Sequence, residues 1–294
     1  MNNLIQSILF IFFIHSTINL NAQKFDKKII ELATNYESEM IELRHWFHQN
    51  AELSNREFKT AERISEELKK IGLNPQTGVA KTGVVAVLKG GKPGPVVALR
   101  ADIDGLPVKE RADIPWKSNM TGEYNGEKVP VMHACGHDTH TAILLGTAKI
   151  LYELKDQIPG TVKFIFQPAE EGAPAGEEGG AELMVKEGVL LNPDVDAIFG
   201  LHIWSQIGAG KVFVRSKGIM AAVNEFRIDI EGVQTHGSTP WTGIDPIVTA
   251  SQMINSIQTI VSRSMPLTEA AAVVTIGSIH GGVRSNIIPE SLYM

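Results

Sequence analysis

The sequence predicts an α/β domain, with a sheet covered by helices on both faces, followed by a smaller α+β domain. Two patterns and the chain length support this prediction. Between residues 83 and 201, apolar runs typical of buried strands alternate with amphipathic helical segments. From about residue 218, apolar and polar residues alternate as in antiparallel strands with one solvent-exposed face. A chain of 294 residues, at roughly 150 residues per domain, also favours two domains.

Residues 1–22 resemble a secretory signal peptide. Residues 8–14 form a short apolar run, and the small and polar residues after it predict cleavage after Ala22. Because a membrane-spanning helix needs about 20 apolar residues, this run is too short to anchor the chain in a bilayer. No Lys or Arg precedes it, so a buried N-terminal helix stays the alternative. We expect an exported protein, periplasmic or secreted, with a first domain over 23–217 and a second over 218–294.

The apolar periodicity predicts the elements of both domains in order. The first domain is expected to contain helices over 25–49, 59–71, 139–154 and 181–186, and strands over 83–88, 95–99, 161–166 and 197–201. The second is expected to contain strands over 223–230 and 271–279, a helix from Asp245 or Pro246 to about Arg263, and a strand from about Asn286. Gly72 ends the second helix, since glycine readily adopts the conformation that closes a helix.

The composition argues against several classes of function. A formal net charge of -6 and the lack of a Lys/Arg cluster give no support for nucleic-acid binding, because nothing would neutralise a run of phosphates. The single cysteine excludes an internal disulfide. Beyond the leader, no segment is apolar enough to span a bilayer, so we expect no membrane partner for the mature chain.

Candidate metal-binding and catalytic residues are most concentrated in the stretch V-M-H-A-C-G-H-D-T-H, from Val131 to His140. It contains three histidines, an aspartate and the only cysteine. Thiolate and imidazole are preferred ligands of zinc-like ions, and Cys135 and His137 point the same way if the segment is extended. This pair forms half of a candidate metal site. A buried free cysteine beside surface histidines is the alternative.

Further polar groups follow three of the predicted strands. Asp102 and Asp104 come after the second strand, at the end where open α/β sheets place ligands; they either orient a metal ligand or cap a turn. Glu170 and Glu171 come after the third strand, and neighbouring side chains leave opposite sides of the backbone, so the two serve different roles or belong to a solvated loop. His202 closes the fourth strand, where a single histidine is more often structural. The convergence of three strand ends favours a shared metal site.

Six stretches occur in a characteristic order across nearly the whole chain after the leader. They are R-H-W-F-H-Q-N-A-E-L-S from Arg44, R-A-D-I-D-G-L-P-V-K-E from Arg100, M-H-A-C-G-H-D-T-H-T-A from Met132, Q-P-A-E-E-G from Gln167, G-L-H-I-W from Gly200 and N-I-I-P-E from Asn286. Together they resemble the metal-dependent aminoacylase and carboxypeptidase superfamily, in the branch of auxin-conjugate hydrolases, hippurate hydrolases and N-acyl-L-amino-acid amidohydrolases. The resemblance implies a zinc-peptidase-like mixed sheet and a smaller lid domain that often mediates dimerisation.

The resemblance also implies roles for individual residues. The implied ligands, which hold two divalent ions (zinc, manganese, cobalt or nickel), are Cys135, His137, Glu171 and His202. Glu170 matches the catalytic glutamate of the family. His236 and Asn286, in the predicted lid, match groups that bind the substrate or its oxyanion. Asp102 and Asp104 remain candidates for orienting the ligands.

The expected reaction is metal-dependent hydrolysis of the amide bond of N-acyl amino acids or related conjugates, which are small molecules. A homodimer through the lid is also expected. The chain departs from the family at Ala51, where proline is common, and at H-G-S-T-P-W from His236, where H-A-A-x-P-H is commoner. A further C-terminal histidine ligand of the family has no match, which predicts a truncated chain. The alternatives are a truncated, inactive paralogue that binds conjugates or peptides, and a hydrolase with Cys135 as nucleophile.

Overall fold

The computed structural model describes residues 2–220, 222–266, 268 and 271–294, with side chains from Phe25 onward. The chain divides into two compact units, Met1–Ala209 and Gly210–Met294. The predicted leader, residues 1–22, lies outside the residues whose side chains are described, so export stays a prediction. No helix in the described ranges combines the length and the hydropathy of a membrane span.

The first unit alternates helices and strands, as predicted. Its helices are α1 (Asn2–Gln49), α2 (Phe58–Ile71), α3 (His137–Glu153) and α4 (Gly180–Lys186). Its strands are β1 (Gln76–Val79), β2 (Gly83–Lys89), β3 (Lys92–Asp102), β4 (Met120–Tyr124), β5 (Glu127–Val131), β6 (Pro159–Gln167) and β7 (Ala197–Gly200). Gly72 closes α2 with a φ of +102°, so the predicted helix end is confirmed.

Five strands form the central sheet in the order β1-β2-β6-β3-β7, and β4 and β5 form a separate hairpin. β2 runs antiparallel to β6, whereas β3 runs parallel to both β6 and β7. The register pairs Asp102 with Gln167 and Arg100 with Gly200. The carboxyl ends of β3, β6 and β7 therefore meet at one edge of a mixed sheet.

Helices cover both faces of this sheet. Alternate residues of β6 point to opposite faces: Phe164 packs in a core with α1, α2 and α3, whereas Ile165 packs against Met184 of α4. The first core includes Leu68 and Leu145, which are fully or almost fully buried. Burial of one such side chain contributes about 1.5–3 kcal/mol. The predicted α/β class is confirmed.

One strand of the sheet differs from its prediction. The segment 197–201 was expected to be a buried strand, and β7 does form there, but Ile198 is 51% and Phe199 is 60% exposed. The reason is position, since β7 lies at the sheet edge and pairs, within the described residues, with β3 alone. An apolar run predicts a strand but not whether a neighbour covers it.

The second unit is built from short strands and one helix. The strands are β8 (Asp229–Glu231), β9 (Thr235–His236), β10 (His280–Gly281), β11 (Ile287–Ile288) and β12 (Ser291–Tyr293), and the helix is α5 (Pro246–Thr259). β10, β12 and β8 form one sheet, and β11 pairs with β9. Asp245 caps α5 by accepting hydrogen bonds from two backbone amides of its first turn, which explains the predicted start. A π-helical turn, Ile260–Ser264, extends it past Arg263.

Two predicted strands of this unit are largely wrong. Only the end of the segment 223–230 belongs to β8, and the segment 271–279 contains no strand among its residues, all of which are described. Val223 is 83% and Val273 is 87% exposed. Alternating apolar residues form a strand only where a partner strand pairs with them. Among the described residues, 223–230 finds such a partner only at its end, where β8 pairs with β12 and Ile228 bonds Met294, and 271–279 lies in no strand.

Candidate metal centre

The shared edge of β3, β6 and β7 brings the predicted site residues of the first unit together. Asp102 ends β3, Glu170 and Glu171 follow β6, and His202 follows β7. His137 starts α3 directly after the cysteine turn. The sulfur of Cys135 and ring nitrogens of His137 and His202 lie within 4.8 Å of one another, and so do donor atoms of His137, Glu170 and Glu171.

The turn before α3 depends on a glycine. Gly136 has a φ of +90°, and a Cβ added there would lie 2.3 Å from Cδ1 of Ile203. The glycine lets the chain turn from Cys135 into the helix that begins at His137. In an extended segment Cys135 and His137 would point the same way; here they flank a helix start, and the tight turn places both at the site.

Hydrogen bonds set the orientation of both histidines. His137 Nδ1 bonds the carbonyl oxygen of Asp104 at 2.9 Å and its Oδ1 at 3.2 Å. This leaves Nε2 of His137, which is buried and has no hydrogen-bond partner among the described residues, directed at the site. His202 Nδ1 bonds the carbonyl oxygen of Ile203, so its Nε2 faces Cys135 Sγ at 3.3 Å. Histidine ligands of metals are typically held in this way.

Asp104 ties several parts of the site together. Its Oδ2 accepts hydrogen bonds from the hydroxyl of Ser54 at 2.7 Å and from the backbone amide of Glu171 at 3.0 Å. Burial alone would raise the pKa of Asp104, but the hydrogen bond and charge of His137 outweigh it and lower that pKa. Asp104 therefore supports two predicted ligands, and of the two readings left open for this residue, ligand orientation fits better than turn capping.

Asp102 supports the segment after β7 through His140, a histidine for which no role was predicted from the sequence. His140 Nδ1 lies 2.6 Å from Asp102 Oδ1, and His140 Nε2 accepts the backbone amide of Ile203 at 2.9 Å. Both ring nitrogens of His140 are thus occupied, which makes it a support for the segment of His202. Burial opposes ionisation of Asp102, yet the bond to His140 and the charges of His137 and Arg100 lower its pKa to about 2.

Glu170 and Glu171 both face the site. Their carboxylates lie 3.7 Å and 3.8 Å from His137 Nε2. Burial and the negative charge of Asp102 raise the pKa of Glu170, whereas the charges of His137 and Arg100 oppose this shift. Arg100, which the sequence analysis did not single out, bonds Asp102 Oδ2 at 2.7 Å and lies 4.0 Å from Glu170. Its position two residues before Asp102, on the same side of β3, is the signal that would have identified it.

The electrostatics of this cluster fit a divalent cation. Burial and the charge of Glu171 raise the pKa of Cys135 to about 12. Burial opposes protonation of His137, but its bond to Asp104 and the charge of Asp102 raise its pKa to about 9. The neighbouring carboxylates thus favour the protonated forms of Cys135 and His137. A bound divalent cation could take the place of these protons. A sulfur, two imidazoles and a carboxylate are the donor set that zinc and related ions prefer.

A second polar cluster lies behind the site, at the start of α3. His48 pairs with Asp138 Oδ2 at 3.0 Å through Nδ1 and with Glu110 Oε2 at 2.7 Å through Nε2. Arg44 donates to the same Asp138 oxygen at 3.2 Å. The bond to Asp138 raises the pKa of His48 against the opposing effect of burial. His48 is buried, and both of its ring nitrogens face carboxylates.

The two predicted lid residues lie together in the second unit. His236 ends β9 and pairs in register with Ile287 of β11. The amide of Gly237 donates to the carbonyl oxygen of Asn286 at 2.8 Å, which makes the two candidate residues neighbours. His236 Nδ1 bonds the hydroxyl of Ser238 at 2.7 Å. Their roles toward the substrate and dimerisation through this unit stay predictions.

Comparison with known proteins places this arrangement in a family. Residues 98–283 match the model of Peptidase family M20/M25/M40, which is more than half of the chain. The chain belongs to peptidase family M20/M25/M40. This confirms the resemblance drawn from the six motifs.

Relatives within the M20/M25/M40 family include hydrolases of acylated amino acids. The chain is 41% identical to the N-acetyl-L-cysteine deacetylase of Bacillus subtilis (strain 168) over 92% of its own length and 61% of the relative. It is 39% identical to IAA-amino acid hydrolase ILR1-like 2 of Arabidopsis thaliana, over 92% of this chain and 58% of that one. The chain therefore spans about three-fifths of the length of these relatives.

A solved structure of the M20/M25/M40 family shows the same fold. It is the Bacillus subtilis YXEP protein, a dinuclear metal binding peptidase from the M20 family, with a TM-score of 0.62 and 35% identity. The alignment covers 88% of this chain and 63% of that protein. The mixed sheet predicted from the sequence is the fold of this family.

Proposed function

We propose that this protein hydrolyses the amide bond of N-acyl amino acids or related conjugates, with two divalent metal ions held by Cys135, His137, Glu171 and His202. The observation that carries the proposal is the convergence of sulfur, imidazole and carboxylate donors at one sheet edge, around a buried His137 nitrogen with no partner among the described residues. Family membership and the names of the relatives support the same class of reaction.

The chain's own groups supply the proton transfers. When bound, divalent ions of this kind make water a stronger acid and polarise a carbonyl group. Glu170, partly exposed at the same edge, takes a proton from the attacking water. As the carbon–nitrogen bond breaks, it passes that proton to the leaving amine. His236 is proposed to donate a hydrogen bond to the oxyanion, and Asn286 to hold the carboxylate of the amino acid.

A second candidate is a cysteine hydrolase, favoured by the 3.3 Å contact between Cys135 Sγ and His202 Nε2. The surrounding charges oppose it. A nucleophilic cysteine needs a lowered pKa, whereas burial and Glu171 raise the pKa of Cys135 to about 12. A metal site would use the same sulfur as a ligand and would also explain why Glu170 and Glu171 lie beside it.

The test combines metal content with turnover. The protein is stripped with a chelator and reloaded separately with zinc, manganese, cobalt or nickel, and bound metal is measured by elemental analysis. Release of the free amino acid is then followed for an N-acetyl amino acid and for an IAA-amino acid conjugate. We expect bound metal and hydrolysis that depends on reloading.

Two variants separate the roles. E170Q is expected to keep its metal and lose turnover by about 10²- to 10⁴-fold, since it removes a general base. H137A is expected to lose metal as well. Turnover that persists without metal would contradict the proposal and favour the cysteine hydrolase. Metal binding and conjugate binding without turnover, in the unchanged chain, would favour a binding protein.

A further inference from the structure

A buried glutamate outside the metal cluster holds the turn that carries the two site glutamates. Glu57, at the start of α2, is fully buried. Its Oε1 accepts the backbone amide of Ala169 at 2.8 Å, and its Oε2 lies 2.6 Å from the hydroxyl of Thr82. Ala169 directly precedes Glu170 in the chain. A carboxylate from the helical layer thus bonds the backbone next to the proposed general base.

The turn that Glu57 holds has an unusual backbone conformation. Ala169 has a φ of +48°, which residues other than glycine rarely adopt without support from their surroundings. On the other side of this residue, Gly180 approaches so closely that an added Cβ would lie 2.8 Å from the Ala169 carbonyl oxygen. The backbone of Ala169 is therefore confined at both its amide and its carbonyl.

A second buried carboxylate acts on the same turn. The amide of Glu171 donates to Asp104 at 3.0 Å, so alternate amides of the turn, at Ala169 and Glu171, are held by Glu57 and Asp104. Between them lies Glu170, whose direction is set by the backbone on both sides. Because Asp104 also bonds His137, the Glu57 contact is the one that fixes the turn independently of the histidine.

We propose that Glu57 is a positioning residue: its carboxylate holds the backbone of the turn 168–171 and so sets the directions of Glu170 and Glu171. Either protonation state of Glu57 keeps Oε1 as an acceptor, so the role needs an acceptor atom and no negative charge. The consequence for metal binding rests on the proposed function. The consequence for the backbone does not.

The backbone consequence is tested by hydrogen–deuterium exchange of the metal-free protein. In E57A, loss of the acceptor is expected to speed exchange of the amides at 169–171 by about 10-fold or more, as for loss of a hydrogen bond of about 1.5 kcal/mol. E57Q keeps an acceptor and is expected to stay close to the wild type. E67A is the matched control, since Glu67 is a mostly buried glutamate of the same helix that bonds Arg63 and Lys70.

The metal consequence is tested by titrating cobalt into the same variants and recording its absorption spectrum. E57A is expected to bind cobalt about 10- to 100-fold more weakly with an altered spectrum, as for residues that orient metal ligands, whereas E57Q and E67A keep the wild-type values. If E57A does not fold, T82V, which removes the other partner of Glu57, is expected to speed exchange at 169–171 in its place.

The outcomes separate this inference from the proposed function. Unchanged exchange at 169–171 in E57A and T82V, or equal effects in E67A, would overturn the positioning role. Loss of protection in E57Q equal to that in E57A would overturn the assignment to the acceptor atom. A wild-type protein that binds no cobalt but shows the expected exchange pattern would contradict the metal proposal and leave the role of Glu57 in the turn supported.

Discussion

Replacement of Asp104 by alanine tests whether the supports of the site are arranged as the structure shows. The substitution removes the acceptor of two donors, the hydroxyl of Ser54 at 2.7 Å and the amide of Glu171 at 3.0 Å. His137 keeps the backbone carbonyl of residue 104 at 2.9 Å, so its orientation is only partly released. An orphaned buried donor costs about 1–3 kcal/mol, so we expect D104A to lower the free energy of unfolding by about 2–4 kcal/mol.

The assay is urea unfolding of the metal-free protein followed by tryptophan fluorescence, with a zinc titration of each variant. We expect D104A to bind zinc about 10- to 100-fold more weakly as well, because it orients two of the proposed ligands. D113A is the control, since the Asp113 side chain is fully exposed and its only ion pair among the described residues, with Lys117, spans 3.6 Å. The reasoning is refuted if D104A loses no more stability than D113A.

Two further predictions concern the cysteine and the second polar cluster. Zinc is expected to protect Cys135 from iodoacetamide by at least about 10-fold, and H202A should remove this protection; equal labelling with and without zinc would contradict a metal–sulfur contact. The bond to Asp138 raises the pKa of His48 above 6.5; burial opposes this shift and the bond to Glu110 adds to it. Arg44 bonds the same Asp138 oxygen, and the ring of His133 lies 6.5 Å from that of His48. The native state then binds this proton more tightly than the unfolded state, so the stability from His48 is complete below pH 6.5 and is lost as the pH rises through the native pKa. H48Q should flatten the stability curve above pH 6.5, and a parallel curve would refute the assignment.

The grouping of the candidate site residues was predictable because these residues follow the ends of strands. Apolar runs located β3, β6 and β7, and parallel strands carry their carboxyl ends to one edge, so the residues after them had to meet. Glu171 and His202 lie far apart in sequence and still reach the same edge, because the sheet determines where the ends of β6 and β7 lie.

Other parts of the fold were missed for two different reasons. The hairpin β4–β5 had a usable signal, since Asn125 and Gly126 both have positive φ angles as in a tight two-residue turn, for which Asn-Gly is the strongest sequence pattern. The exposure of β7 had none, because periodicity reports the alternation of residues and not the presence of a neighbouring strand. The same limit explains the wrong strands at 223–230 and 271–279.

The supports of the site were the least predictable part, and the reason is chemical. Glu57 lies 112 residues from Ala169, and the group that it binds there is a backbone amide, which every residue other than proline carries. Such a contact leaves no complementary side chain for a sequence pattern to reveal. A ligand set is visible in the sequence because metals select side chains, whereas a positioning contact to the backbone becomes visible only when the fold brings the two segments together. The structure therefore adds what the motifs do not contain: the contact of Glu57 with the Ala169 amide explains how a turn with a positive φ at Ala169 keeps Glu170 and Glu171 directed at one site.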